Sequence, residues 1–258
     1  MELIEILKVV VLGIVEGITE WLPISSTGHM LLVDEFIHMN VSDSFKDMFF
    51  VVIQLGAILA VVMLFWDKMW PFQTKDKSKP VICKDVFSMW FKVVVACIPG
   101  AIVTLLFDDY IEAHLHTPTV IALALVVYGV AFIVIENWNK KRTPKVLALE
   151  DISYKTAFII GLFQVLSIIP GTSRSGSTII GALTIGVSRV AAAEFTFFLA
   201  VPVMIGLSFI KILKFGFSFT SVELMTLAIG CVVAFLVSVL VIKFLMSYIK
   251  TVSYTHLT

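Results

Sequence analysis

An all-α, polytopic transmembrane architecture of two inverted-topology repeats, each holding a broken re-entrant helix hairpin, is predicted by three features of this 258-residue chain. The first is composition: 59% of the residues are hydrophobic, only 15% are charged, and the mean hydropathy is +1.01. A soluble domain of this length has too little interior to hide that much apolar surface, so lipid must solvate part of it. The second is length: apolar runs at residues 48–66, 87–107, 119–137, 190–210 and 223–247 each reach the roughly 20 residues that cross a hydrocarbon core. The third is interruption. Residues 9–33 and 156–187 are apolar but broken by Pro, Gly, Ser, Thr and ionisable groups, the pattern of helix-break-helix hairpins.

The hairpins also repeat. At an offset of 148 residues Gly13 meets Gly161, Glu16 meets Gln164, Ser25 meets Ser173, Thr27 meets Ser175, Gly28 meets Gly176, and Phe49-Phe50 meets Phe197-Phe198. One unit therefore occurs twice, at about 1–110 and about 150–250, within a single integral membrane domain spanning residues 1–258. Lys68, Lys75, Lys77, Lys79 and Lys84 crowd one connection, and Lys140, Lys141, Arg142 and Lys145 another, with two spans between them. Both loops are expected to face the cytoplasm. The connection with Asp108, Asp109 and Glu112, and the stretch around Asp34, Glu35, Asp43 and Asp47, then lie outside; Lys211 and Lys214 also fall outside and fit the scheme less well. The first hairpin is entered from outside and the second from inside, so the repeats run in opposite senses and their breaks converge near the bilayer midplane.

Other classes recede. The formal net charge is zero, with no basic tail and no Lys/Arg cluster beside aromatic residues, so nucleic acid is not expected as a partner. Cys83, Cys97 and Cys231 are odd in number and form no CxxC pair, and are read as packing residues. The first apolar run carries Glu2, Glu5, Glu16 and Glu20 and lacks a small-residue cleavage site, so it is expected to stay in the mature protein.

The chemistry concentrates in the breaks. In the first, Glu16 and Glu20 stand four residues apart on one helix face ahead of Pro23 and the run Ser25-Ser26-Thr27-Gly28-His29. Like charges in an apolar setting are costly unless they share a proton, bind a divalent cation or meet an arginine. A plainer reading, an interfacial amphipathic helix with water-facing glutamates, sits poorly with Trp21, Leu22 and the return to apolar residues at 30–33. In the second break, Pro170-Gly171-Thr172-Ser173-Arg174-Ser175-Gly176 opens a helix, and such a turn aims backbone N–H groups and the positive helix end at an anion. Arg174 adds a guanidinium able to grip phosphate with two donors, although snorkelling to the headgroups or a purely structural ion pair would also hold it.

These two motifs together, with the Ile53-Gln54-Leu55-Gly56-Ala57 and Ala200-Val201-Pro202 runs, resemble the undecaprenyl-diphosphatase family associated with bacitracin resistance, over nearly the whole chain. The resemblance implies hydrolysis of undecaprenyl diphosphate to the monophosphate, recycling the carrier for peptidoglycan synthesis. It implies a bacterial inner membrane location with the site open to the outer side, inverted repeats that cross, and a divalent cation, Mg2+ or Ca2+. Carried over, Glu16 and Glu20 are the acidic pair, Ser26 and His29 belong to the first catalytic turn, and Ser173 and Arg174 to the second. Partners are then the polyprenyl diphosphate, membrane lipid and, as an open option, a second copy of the chain in a homodimer.

Diphosphate hydrolysis needs electrostatic stabilisation, a nucleophile and acid/base help. Arg174 is expected to hold phosphoryl oxygens; Glu16 and Glu20 are either metal ligands or, Glu20 more than Glu16, the base that activates a nucleophile. Ser26 is the slightly favoured nucleophile, with His29 as nucleophile or leaving-group acid in its place, or water attacking directly. Ser25, Thr27, Gly171, Thr172, Ser173, Ser175 and Gly176 are the candidate substrate-binding residues, with helix capping as the alternative for Ser25, Thr27, Thr172 and Thr178. His38, His114 and His116 are read as solvated. A phosphohistidine-type lipid phosphatase would need a histidine six places after its arginine, where Ile180 and Phe195 stand after Arg174 and Arg189. A transporter or flippase for an anionic lipid or phosphate is the alternative from another class, since inverted repeats with broken helices also build transporters. The resemblance further implies one more helix after 223–247, and Val252-Ser253-Tyr254-Thr255-His256-Leu257-Thr258 reads as part of a non-native tail at 251–258, so His256 receives no role.

Overall fold

The computed structural model describes residues 2–72, 81–115, 117–140 and 142–255. Lys75, Lys77, Lys79, His116, Lys141 and His256 lie outside the described residues, as do the side chains of Asp108, Asp109 and Glu112.

The described chain is helical: α1 Leu3–Thr19, α2 Ser26–Ile37, α3 Asp43–Val52, α4 Gln54–Leu64, α5 Trp66–Met69, α6 Lys84–Leu115, α7 Pro118–Asn139, α8 Tyr154–Gln164, α9 Arg174–Thr184, α10 Arg189–Phe215 and α11 Ser221–Thr255. Five segments are long and apolar enough to cross a membrane, Asp43–Leu64, Lys84–Phe107, Thr119–Asn139, Arg189–Phe215 and Ser221–Thr251, and they match the five expected spans. Both interrupted stretches are helix-break-helix: α1 and α2 flank the first break, α8 and α9 the second. The hydroxyls of Ser25, Ser42, Thr117, Ser153, Ser173 and Ser188 each accept an N–H from the first turn of the following helix, satisfying donors that lipid could not. The expected span at 48–66 is α3 and α4 joined by a tight turn at Ile53, where the Gly56 N–H donates to the Ile53 carbonyl at 3.0 Å. Cys83, Cys97 and Cys231 are free thiols.

Ion pairs and ring contacts fix the two ends of the bundle. At one, Lys68 Nζ reaches both Glu194 carboxylate oxygens at 2.8 Å, Arg189 pairs with Glu136, and Lys145 N–H donates to the Gly186 carbonyl at 2.7 Å. At the other, Lys46 pairs with Asp34 at 2.8 Å, Lys8 reaches the His38 carbonyl at 2.8 Å, and Phe45 meets Phe215 with ring centroids 5.9 Å apart. Segment α3–α4 therefore runs antiparallel to α10. Between the ends α1 packs on α11 and α8 on α6, each hairpin arm lying against the last long helix of the other half.

Small residues permit these close approaches. A Cβ on Gly161 would lie 2.3 Å from the Ala96 carbonyl oxygen, and one on Gly56 would lie 2.1 Å from the Cys231 carbonyl oxygen. Without a hydrophobic drive between helices in lipid, such contacts supply much of the packing energy. Gly56→Ala is therefore expected to cost about 1–3 kcal/mol by forcing α4 and α11 apart. Its melting midpoint in detergent should fall, whereas Gly129→Ala on α7, with nothing within 4 Å of the added methyl, should leave it unchanged. Equal midpoints for the two variants would contradict the packing account.

Candidate active site

The first break begins at Thr19. Pro23 has no N–H for the Thr19 carbonyl and disfavours helical dihedrals at Leu22, so regular hydrogen bonding stops there, a few residues ahead of the proline itself. Glu20 still keeps φ −64°, ψ −38° and donates its N–H to the Glu16 carbonyl at 3.0 Å, so both carboxylates stay on one face. The chain then passes through Ser25 at φ 66°, a conformation costing a non-glycine residue about 1–3 kcal/mol. The Ser25 Oγ accepts the Gly28 N–H at 3.4 Å and starts α2.

The second break is built alike. A 3-10 turn over Val165–Ile168 follows α8, Gly171 takes φ 87°, and Ser173 Oγ accepts the Gly176 N–H at 3.0 Å to start α9. A Cβ on Gly171 would lie 2.7 Å from the Ile121 carbonyl oxygen of α7, so both the turn and the contact demand glycine.

The breaks meet. Arg174 Nη2 donates to Glu20 Oε1 at 2.6 Å, and Nη1 donates to the Thr196 carbonyl of α10 at 3.3 Å. Ser26 Oγ donates to Glu20 Oε2 at 2.6 Å. Ser175 Oγ ties the second break to the first, donating to the Glu20 and Leu22 carbonyls at 3.2 and 3.3 Å. Trp21 locks the first turn edge-on against Phe197 of α10, with centroids 5.2 Å apart. Glu16 is fully buried and Glu20 nearly so, which removes the water-facing amphipathic reading. From Arg174, α9 rises 11 residues, about 16 Å, toward Gly186, whose carbonyl accepts the Lys145 N–H.

A cavity of about 140 Å³ opens between the turns. Its walls carry Glu20, Ser25, Ser26 and Thr27 from the first break and Thr172, Ser173, Arg174 and Ser175 from the second, completed by Gln54, Ser167, Val203, Met204 and Leu207. Gly171 and Gly176 do not line it, and the Gly176 N–H is already taken by Ser173. His29 is off the wall as well. Its Nδ1–H donates to the Ser25 carbonyl at 2.8 Å, so this ring supports the strained turn. Thr178 packs on Thr196, hydroxyl to hydroxyl at 2.9 Å. His114 stacks on Tyr110, and His38 ends α2, both away from the cavity.

Three contributors escaped the sequence reading. Thr196 acts through its backbone carbonyl, which leaves no side-chain signal. Gln54 and Ser167 do leave one, a polar side chain inside an apolar run, and Gln54 is 7% exposed. Lipid-facing positions do not tolerate such groups, which is the signal that would have found them.

Neither carboxylate oxygen of Glu16 has a hydrogen-bond partner among the described residues, and Glu20, Ser26 and Arg174 are its neighbours. Two carboxylates, one of them buried without a donor, are the hard oxygen ligands that a divalent cation would use, with Glu20 on the cavity wall and Glu16 behind it. Among the described residues there is no group of three or more His, Cys, Asp or Glu side chains placed to hold a metal ion, so protein carboxylates alone would supply only part of a coordination shell.

A polytopic helical membrane protein with a carboxylate, a guanidinium and clustered hydroxyls around one cavity is, as a class, a membrane enzyme acting on an anionic group. The family model described as bacitracin resistance protein BacA matches residues 9–257. Over 250 residues the chain is 74% identical to a protein named undecaprenyl-diphosphatase from Enterococcus faecalis, covering 97% of this chain and 91% of that one. It is 62% identical to one of the same name from Lachnoclostridium phytofermentans and 60% identical to another from Desulfitobacterium hafniense, each across 97% of this chain and 90% of theirs. The chain belongs to the bacitracin resistance protein BacA family.

Proposed function

We propose that this chain is the phosphatase its relatives are named for, removing the terminal phosphate of undecaprenyl diphosphate and leaving the monophosphate. The observation that carries the reading is the junction in which Glu20 accepts from both Arg174 and Ser26 at 2.6 Å across two separate chain breaks. Ser26 Oγ attacks the terminal phosphorus as its proton passes to Glu20 Oε2, the bridging P–O bond breaks, and Glu20 returns the proton to the departing monophosphate. Water, deprotonated by Glu20, then releases inorganic phosphate from Ser26 and restores its hydroxyl. Ser26 is preferred to His29 because its hydroxyl lines the cavity and already meets a carboxylate, whereas Nδ1 of His29 is committed to a backbone carbonyl. Arg174 keeps its Nε without a partner among the described residues, a donor in reserve as charge grows on the equatorial oxygens. Ser25, Thr27, Thr172 and Ser173 supply hydroxyls to the same head group, while Ser175 holds the two breaks together beside it.

Glu16 and Glu20 would hold Mg2+ or Ca2+, which when bound neutralises diphosphate charge. Two inverted repeats are the architecture we infer, supported by the offset of 148 residues and by α3–α4 running antiparallel to its counterpart α10. A site open to the exterior of a bacterial inner membrane is supported by charge: the Lys68, Lys140 and Lys145 end belongs inside. Along α10 the wall residues Val203, Met204 and Leu207 lie beyond Thr196, away from that end.

Purified chain in detergent, given undecaprenyl diphosphate and Mg2+ or Ca2+, is expected to release phosphate without a sealed membrane. Chelation should lower the rate more than about tenfold, with recovery on re-addition, as for catalysis that leans on a cation. Absence of release under every cation tested would overturn the reading.

A further inference from the structure

The cavity has a polar group that no step above uses. Gln54 is the first residue of α4, is 7% exposed and lines the cavity, yet its amide has no hydrogen-bond partner among the described residues. The residue is enclosed but its amide reaches the cavity, so a ligand seated there can accept from it. Being neutral, it adds a donor without needing a counter-ion.

Its place in the cavity narrows what that ligand is. Arg174 bonds the Thr196 carbonyl, at the near end of the α10 wall. Ser208 Oγ donates to the Val51 carbonyl at 3.2 Å, which pins the α3–α4 turn beside the far end. Between these anchors α10 rises about 18 Å. Val203, Met204 and Leu207, the apolar side chains on the cavity wall, lie toward Gln54. A ligand whose one end is a charged phosphoryl group and whose other end carries a hydrocarbon matches this polarity in one direction only: terminal phosphate at Arg174 and Ser26, lipid-bearing end along α10.

We propose that Gln54 binds the phosphate that stays on the lipid, its amide donating to a non-bridging oxygen of the lipid-proximal phosphoryl group, with Val203, Met204 and Leu207 receiving the first carbons of the chain. The proposal rests on the phosphatase reading and adds the direction in which substrate lies. Gln54 thereby reads the product end of the substrate: it holds undecaprenyl monophosphate and has no contact with inorganic phosphate.

The test is equilibrium binding of two probes to the full chain in detergent, undecaprenyl monophosphate and inorganic phosphate, for wild type, Gln54→Met and Gln54→Glu. A lost hydrogen bond to a charged group predicts roughly 10- to 100-fold weaker monophosphate binding for Gln54→Met. Gln54→Glu, the same shape with a negative charge, should weaken it further, while inorganic phosphate binds both variants within about threefold of wild type. In turnover, KM should rise by a similar factor with kcat within about threefold. Unaltered monophosphate binding in Gln54→Glu, or equal losses for both probes, would overturn the proposal. Binding is read without hydrolysis, so failure of the underlying reading shows separately, as wild-type chain that binds the monophosphate but releases no phosphate from the diphosphate.

Discussion

Arg174→Ala is expected to lower kcat/KM for undecaprenyl diphosphate by about a thousandfold or more, the scale on which arginines stabilise phosphoryl-transfer transition states. The guanidinium is fixed at both ends, to Glu20 at 2.6 Å and to the Thr196 carbonyl at 3.3 Å, so it enters the reaction already oriented. Alanine also leaves the Glu20 carboxylate buried without its counter-charge, and an uncompensated buried charge destabilises by several kcal/mol. Loss of folding is therefore a second route to inactivity, and Arg174→Lys separates the two. Lysine keeps the charge but loses the planar fork, so the variant should stay folded in detergent and still lose about 10²-fold or more. Full activity in a folded Arg174→Lys would show that two-donor geometry is unimportant, and full activity in Arg174→Ala would end the assignment of this site.

Glu20→Gln is expected to lower kcat by about 10²- to 10⁴-fold, the range for removing a general base. Unlike the arginine variant, it should not weaken substrate binding. The amide oxygen can still accept from Arg174 while its NH2 donates to the Ser26 hydroxyl, but it no longer competes with phosphate for the guanidinium charge, so KM should hold steady or fall. That split between kcat and KM identifies Glu20 as a proton acceptor. If Glu20 acts chiefly as a cation ligand, the deficit should instead shrink as Mg2+ is raised, and a cation titration of the variant checks this. Because Glu20 and Arg174 share a bond, the double variant should lose much less than the product of the single effects.

How far the chain announces this site depends on the type of signal. Glu16, Glu20, Ser26 and Arg174 were legible because ionisable and hydroxyl groups inside apolar runs are expensive in lipid and must have a purpose. Gly171 and Gly176 were legible as members of a turn, and the fold gives each a conformational task as well: one holds a φ of 87° against α7, the other donates its N–H to a helix cap. His29 looked like chemistry because of its neighbours, and its position instead lends it to bracing Ser25. Gln54 lies over a hundred residues from Arg174 in sequence, and only the turn at Ile53 and the bond from Ser208 to Val51 bring it to the cavity.

By itself, then, the sequence determined that lipid is the solvent, where five helices cross and where two are broken, because composition, apolar length and proline act locally and leave their mark residue by residue. Tertiary structure alone decided that Arg174 meets Glu20 rather than Glu16, that Thr196 lends a carbonyl, and that Gln54 faces the cavity with its amide unpaired. Those outcomes depend on how closely α1, α4 and α10 approach one another, a quantity set by the fit of glycines and phenylalanines across distant segments and carried by no single stretch of chain.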